Sequence, residues 1–233
     1  MNRVVEVLKK IYNALPKPPS TNYRFHKLAV NPYELLAPSP VIFDIGSKSA
    51  AGSYAFGSPP SDAKVVCVDI EDGPNVDLVA DAHDMHMVDS SSVDCVICFS
   101  VLEHVHYPVK VMKEIYRILK PGGLIYINIP FLYPFHAVPH DYYRFTFKGI
   151  EVLCEDFERL DSGFNRGPAS TMHQLLVHFF AMLFCFNNQT IYNINIDLFK
   201  WVFFWVKYLD KFLAKYQMAY VIHSSSYFIG RKV

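Results

Sequence analysis

Charge is scarce and unbiased in this chain. Of 233 residues, 22 are Lys or Arg and 22 are Asp or Glu, so the charged share is 19% and the formal net charge is zero. An average soluble chain carries ~25%. With no basic excess there is no footprint for gripping a phosphate backbone, and a dedicated nucleic-acid binder is not expected. Disorder is excluded as well, because disordered chains are poor in apolar residues and rich in charge. Here 52% of residues are hydrophobic and 15% aromatic. The start of the chain, Met1 to Lys10, has no continuous apolar run, so no signal peptide is expected. No internal repeat is visible.

Cysteines are few and odd in number: Cys67, Cys95, Cys98, Cys154 and Cys185. Their apolar surroundings argue for reduced, buried thiols and a cytoplasmic location. Cys95 and Cys98 form a C-x-x-C spacing, but it lies within Val93 to Phe99, which reads as a strand. Residues three apart on a strand face opposite ways and cannot share a metal.

What is present is an alternation of apolar runs and turns. Val4, Val7, Leu8, Ile11 and Tyr12 have the spacing of one helical face, and Pro16, Pro18 and Pro19 end that helix. A proline-punctuated linker completes residues 1–39. The runs Val41 to Gly46, Lys64 to Asp69, Val76 to Asp81, Val93 to Phe99 and Leu124 to Ile129 then follow. Near-continuous Val/Ile runs suit strands covered on both faces, so an α/β, doubly wound, mainly parallel sheet is expected. From Pro108, the residues Val111, Met112, Ile115, Ile118 and Leu119 predict a helix stopped by Pro121-Gly122-Gly123. This core is assigned to residues 40–168. The segment Gly167 to Ile196 lacks Asp, Glu, Lys and Arg altogether, and residues 169–218 read as an apolar helical insert. Residues 219–233 supply a final strand around Ser225 to Ile229.

In such a sheet a ligand lies beyond the carboxyl ends of the strands, near the switch in strand order. Asp44, Gly46, Asp69, Asp81 and the segment Ser100-Val101-Leu102-Glu103-His104 fall there. An acid after the second strand suits a ribose diol, and a glycine after the first lets backbone approach a ligand. Each acid alone could cap a turn; three at successive strand ends form a set. There is no G-x-G-x-x-G after the first strand, so no dinucleotide pyrophosphate cradle is expected.

These stretches, together with Ser92 to Val105 and Leu119-Lys120-Pro121-Gly122-Gly123, resemble the class I S-adenosylmethionine-dependent methyltransferases of the small methyltransferase-domain type. The resemblance implies a seven-stranded Rossmann-like sheet that binds S-adenosylmethionine. Asp44 and Gly46 would lie at the methionine end, Asp69 on the ribose, and Asp81 with Ala82 at the adenine, with Phe99 and Ser100 lining the cleft. The first loop departs from the family by carrying Lys48 and Ala50 where glycines are usual. A catalytically silent, methyltransferase-like binding or scaffold protein is therefore the alternative reading.

After the fifth run comes Pro130 to Thr146, dense in prolines, aromatics and titratable groups. It resembles a Pro-His/Asp-Tyr-x-Arg-Phe stretch of methyltransferases associated with polysaccharide synthesis. The acceptor would be a hydroxyl of a sugar, lipid-linked glycan or small metabolite. Removing its proton needs a base, and His136 and His140 are candidates, with Asp141 as base or orienting partner. Arg144 would hold an anionic group or pair with Asp141. The bland alternative is that His140 and Asp141 cap a helix from about Phe145 to Phe157. His104 is read as structural. No metal is expected, because Pro139 breaks the helix that ligation by His136 and His140 would need. In the insert, Lys200, Lys207, Lys211 and Lys215 fall within about 80° at ~100° per residue, opposite Trp201, Trp205 and Phe212. That stripe predicts contact with the inner face of a membrane, against a homodimer or packing through residues 170–218.

Overall fold

The computed structural model describes residues 16–20, 28–47, 57–137 and 140–233. The expected N-terminal helix and the Lys48–Ala50 stretch of the first loop lie outside these residues, as does Pro139. The chain divides into two compact units.

The larger unit is built on a seven-stranded sheet. Its strands are β1 (Val41–Ile45), β2 (Lys64–Asp69), β3 (Leu78–Val79), β4 (Val93–Phe99), β5 (Leu119–Pro130), β6 (Phe157–Arg166) and β7 (Ser225–Lys232). The spatial order is β3-β2-β1-β4-β5-β7-β6. β1, β2, β3, β4 and β5 pair in parallel, and β7 runs antiparallel to β5. The chain winds outward from β1 through β2 and β3, then returns to β4 on the other side. The switch point therefore lies between β1 and β4. The doubly wound expectation holds.

Alternate strand residues enter two different cores. Phe43, Ile45, Val96 and Cys98 join one cluster; Ile42, Cys95, Ile97 and Tyr126 join the other. Cys95 and Cys98 thus point to opposite faces, as the strand reading requires. Helix α1 (Pro108–Ile118) buries Val111, Met112, Ile115 and Ile118 on the first cluster. Arg117 fastens it: the guanidinium donates to the Val88 and Met85 carbonyls at 2.8 Å each and to Glu114 at 2.9 Å.

Three details differ from expectation. β3 is two residues long because Asp77 leaves the run: its carboxylate accepts the Cys67 backbone N–H at 2.9 Å. Helix α2 (Phe147–Leu153) is short, and Thr146 caps it by accepting from Gly149 at 3.0 Å. Neither His140 nor Asp141 is that cap. β6 then follows as an edge strand beside β7, a position that needs little apolar alternation.

The smaller unit contains residues 16–20, 132–134 and 166–224 among those described. Helices α3 (Pro168–Leu183) and α4 (Gln189–Phe203) pack through Phe180, Phe184, Phe199 and Phe203. A 3-10 turn (Val206–Leu209) leads to the short helix α5 (Asp210–Leu213). The Asp210 carboxylate is fully buried and accepts the Ala169 and Ser170 N–H groups at 2.8 and 2.9 Å, capping α3. The expected lysine stripe does not form, because α4 stops at Phe203 and the chain turns to bring Asp210 to that cap. Lys207 is buried and donates to the Ser20 carbonyl, and Lys200 pairs with Asp197 at 2.7 Å. No helix among the described residues is long and apolar enough to cross a membrane.

Candidate active site

The cofactor residues expected from sequence all lie at the carboxyl edge of the sheet. Asp44 is buried in β1, Asp69 ends β2, and Asp81 and Ala82 follow β3. Gly46 leaves β1 with φ +78, and its N–H donates to the Val68 carbonyl at 2.7 Å. A Cβ placed there would stand 2.3 Å from Cγ2 of Val101, so the glycine lets the β1 turn meet the turn after β4. Ser100 holds φ +56 as the chain leaves β4, a left-handed conformation of the kind that collects at functional sites. Phe99 stacks on Tyr126 with centroids 6.5 Å apart.

Asp69 and Asp81 each fold the turn that follows them. Oδ1 of Asp69 accepts the Glu71 N–H at 3.0 Å, which folds the connection after β2. Oδ1 of Asp81 accepts the His83 N–H at 2.9 Å and meets its ring at 2.6 Å. Burial pushes the Asp81 carboxyl up, but these bonds with His83 outweigh it and hold the group below its ordinary value.

Beyond β4 and β5 lies a second group of polar residues. Glu103 is fully buried, and neither carboxylate oxygen has a hydrogen-bond partner among the described residues. Its Oε1 stands 3.6 Å from Nε2 of His104 and 3.8 Å from Nε2 of His136. The two rings meet edge to face with centroids 4.9 Å apart. The loop after β5 is docked on this segment by backbone bonds: Tyr142 and Tyr143 both donate to the Glu103 carbonyl, at 2.8 and 3.3 Å.

Asp141 lies behind His136. Its buried carboxylate takes both guanidinium arms of Arg144, with Nη2 donating at 2.6 Å, and accepts the His136 backbone N–H at 2.8 Å. Oδ2 is 3.4 Å from Nδ1 of His136. The Arg144 bonds hold the Asp141 carboxyl at about 2, against the upward push of burial. A carboxylate that weakly basic orients a neighbour rather than taking a proton. His140 contributes its carbonyl, which accepts from Nδ1 of His104. Its ring instead tilts against Tyr142, with centroids 5.4 Å apart. The structure thus brings His136, Asp141 and Arg144 together and sets the His140 ring aside. It adds Glu103 and His104, whose signal in the sequence is their position directly after the β4 carboxyl end.

A family described as "Methyltransferase domain" matches residues 43–127. Thiol S-methyltransferase TMT1B of Rattus norvegicus is 45% identical over 49 residues, 21% of this chain and 20% of the relative. The Mus musculus protein is 34% identical over 85 residues, 29% of this chain and 34% of the relative. The chain therefore spans a fifth to a third of the length of these curated relatives. Among solved structures, Burkholderia thailandensis 1,6-didemethyltoxoflavin-N1-methyltransferase, with bound S-adenosylhomocysteine, superposes at a TM-score of 0.50. It is 13% identical, and the match covers 84% of this chain and 72% of that one. The sheet order is that of the Rossmann-like methyltransferase fold shared with this neighbour, and residues 43–127 match the methyltransferase domain. That domain match implies S-adenosylmethionine as the cofactor, and the positive φ of Gly46 leaves the backbone there open to a close-lying ligand.

Proposed function

We propose that this protein transfers a methyl group from S-adenosylmethionine to a hydroxyl of a small-molecule acceptor. The bound cofactor would supply a methyl group on a sulfonium centre. Asp44 and Gly46 would face its methionine end, Asp69 its ribose, and Asp81 and Ala82 its adenine, with Phe99 and Ser100 along the cleft. One acceptor O–H bond breaks and one O–C bond forms. Glu103, His104 and His136 would stand where the acceptor proton leaves as the methyl group is taken up, the cofactor's sulfur keeping the electron pair of its bond to methyl. A displacement of this kind needs alignment and exclusion of water above all.

The observation that carries the reading is the buried Glu103 carboxylate facing two imidazoles just past the β4 end of the cleft. A sulfonium methyl needs no such group, and a thiol of pKa ≈ 8.5 needs little help. A hydroxyl does. A thiol acceptor is the second reading, favoured by the names of the curated relatives. Calorimetry with S-adenosylhomocysteine tests the first half: binding is expected, weakened about 10- to 150-fold in Asp69→Ala by loss of a charged acceptor worth ~1.5–3 kcal/mol. No binding by the intact protein removes the reading in favour of a silent relative. A labelled-methyl screen over hydroxyl and thiol acceptors tests the second half, and transfer to thiols alone replaces the hydroxyl. On the true acceptor, His136→Ala is expected to lower turnover ~10²-fold with cofactor affinity nearly unchanged.

A further inference from the structure

We propose that the α3–α4 hairpin of the smaller unit docks on an anionic lipid surface, entering one leaflet without crossing it. Helix α3 is turned inside out. Its polar side chains Ser170, Thr171, His173 and Gln174 are buried, while Met172, Leu175, Phe179, Met182 and Leu183 face outward. Every exposed side chain of α3 is apolar. Water favours the opposite arrangement, and a helix that hides hydroxyls, an imidazole and an amide while offering hydrocarbon suits an apolar exterior. Helix α4 repeats the pattern. It fully buries no residue, and Leu198, Trp201, Val202 and, just past its end, Trp205 are exposed at i, i+3, i+4 and i+7.

The hairpin is graded along its length as a leaflet is. Its base, where Asp210 caps α3, carries exposed Trp205, Tyr208 and Lys211. Its far end, where α3 turns into α4, carries exposed Met182, Leu183 and Phe186. No charged residue occurs from Gly167 to Ile196, and Asp197, paired with Lys200, stands eight residues or ~12 Å along α4 from Gln189. The hydrocarbon of one leaflet is ~15 Å deep. Polar groups near the far end are bonded within the hairpin, as hydrocarbon requires. Asn188 caps α4 by accepting from Thr190 and Ile191, Gln189 donates to Asn193 at 2.9 Å, and the His178 ring meets the Tyr192 hydroxyl at 2.7 Å. A protein partner demands no gradient from hydrocarbon through Trp and Tyr to Lys; a leaflet does.

Charge selects the lipid. Residues 166–224 hold Arg166, Lys200, Lys207, Lys211 and Lys215 against Asp197 and Asp210, while the whole chain is neutral. Both acids are engaged, Asp210 at the cap of α3 and Asp197 with Lys200. Lys211 and Lys215 are exposed. They gather at the hairpin's base rather than along a helix, where anionic headgroups would attract them. This docking does not depend on the methyl-transfer reading.

The test is flotation of the full chain with vesicles of phosphatidylglycerol and phosphatidylcholine, repeated with brominated acyl chains. Trp201 and Trp205 are the only tryptophans, 45% and 55% exposed, so bromine quenching of the chain's indole fluorescence reads this hairpin alone. Binding with quenching is expected. Met182→Glu and Leu183→Glu, at positions 62% and 57% exposed, should each weaken it at least ~10-fold, because a charge resists entry into the acyl region. Lys211→Gln and Lys215→Gln should each weaken it ~5-fold at low salt. Absence of binding to these vesicles overturns the proposal, as does binding unchanged by both glutamate variants. A dimer in solution that the glutamate variants dissociate, with the tryptophans unquenched by brominated lipid, overturns it in favour of a second copy of this chain. S-Adenosylhomocysteine affinity, expected to be unchanged in all four variants, checks their folding on the same samples. Vesicle binding without cofactor binding by the intact protein removes only the methyl-transfer reading.

Discussion

Gly46 and Val101 meet where the turn after β1 crosses the turn after β4, so closely that a single added carbon at position 46 would stand 2.3 Å from Cγ2 of Val101. The two constraints on Gly46 are separable. Its φ of +78 disfavours any side chain, and the valine disfavours one sterically. Gly46→Ala is expected to destabilise the fold by about 1–3 kcal/mol and to weaken S-adenosylhomocysteine binding by ~10-fold or more. Adding Val101→Ala relieves the contact but not the backbone, so the double variant recovers only part of both. Full recovery in thermal melts and calorimetry would show that sterics alone hold the glycine in place.

Arg117 and Glu114 predict a signature in acid. The Arg117 hydrogen bonds hold the Glu114 carboxyl below its ordinary value, and the Met85 N–H donates to the same carboxylate at 3.0 Å. A depressed carboxylate contributes stability that is complete above its unfolded value of ~4.3 and is lost as pH falls through the folded one. Arg117→Met also strips donors from the Val88 and Met85 carbonyls and is expected to cost about 2–3 kcal/mol at neutral pH. The gap between wild type and variant in urea melts should narrow below about pH 4.5. A gap constant down to about pH 3 assigns the whole effect to the carbonyl bonds.

Much of this arrangement is legible in the sequence where one local rule decides. β4 and α1 match their expected spans because a continuous apolar run and a 3.6-residue stripe are signals that tertiary context rarely overrides. The acids Asp44, Asp69 and Asp81 are legible because each closes a run. β6 is not, since Glu158, Arg159 and Asp161 sit on an edge strand with a wet face. The Glu103–His136 relationship is hidden because its halves are separated by all of α1 and β5 and meet only when the loop docks on the Glu103 carbonyl. The lysine stripe misleads for the opposite reason. Periodicity places Lys207 on one helical face, but the helix ends at Phe203 and the residue turns inward.

That turn exists to deliver Asp210, and the last prediction follows from it. Helix α3 begins at Pro168 after Gly167, neither of which offers a side-chain acceptor to the first-turn N–H groups. Asp210 supplies the acceptor from a distant part of the chain, accepting from Ala169 and Ser170 while fully buried. Its negative charge also faces the positive end of the helix dipole. Asp210→Ala removes the cap and leaves two buried donors unsatisfied, so a loss of about 2–4 kcal/mol is expected. Asp210→Asn keeps one oxygen and loses the charge, and should fall roughly midway. Hydrogen exchange should then show Pro168–Leu183 opening well before the β4 and β5 strands, because the damage is confined to one helix start. An Asp210→Ala variant that melts with the wild type, with unchanged protection along α3, would mean that water replaces the carboxylate without penalty.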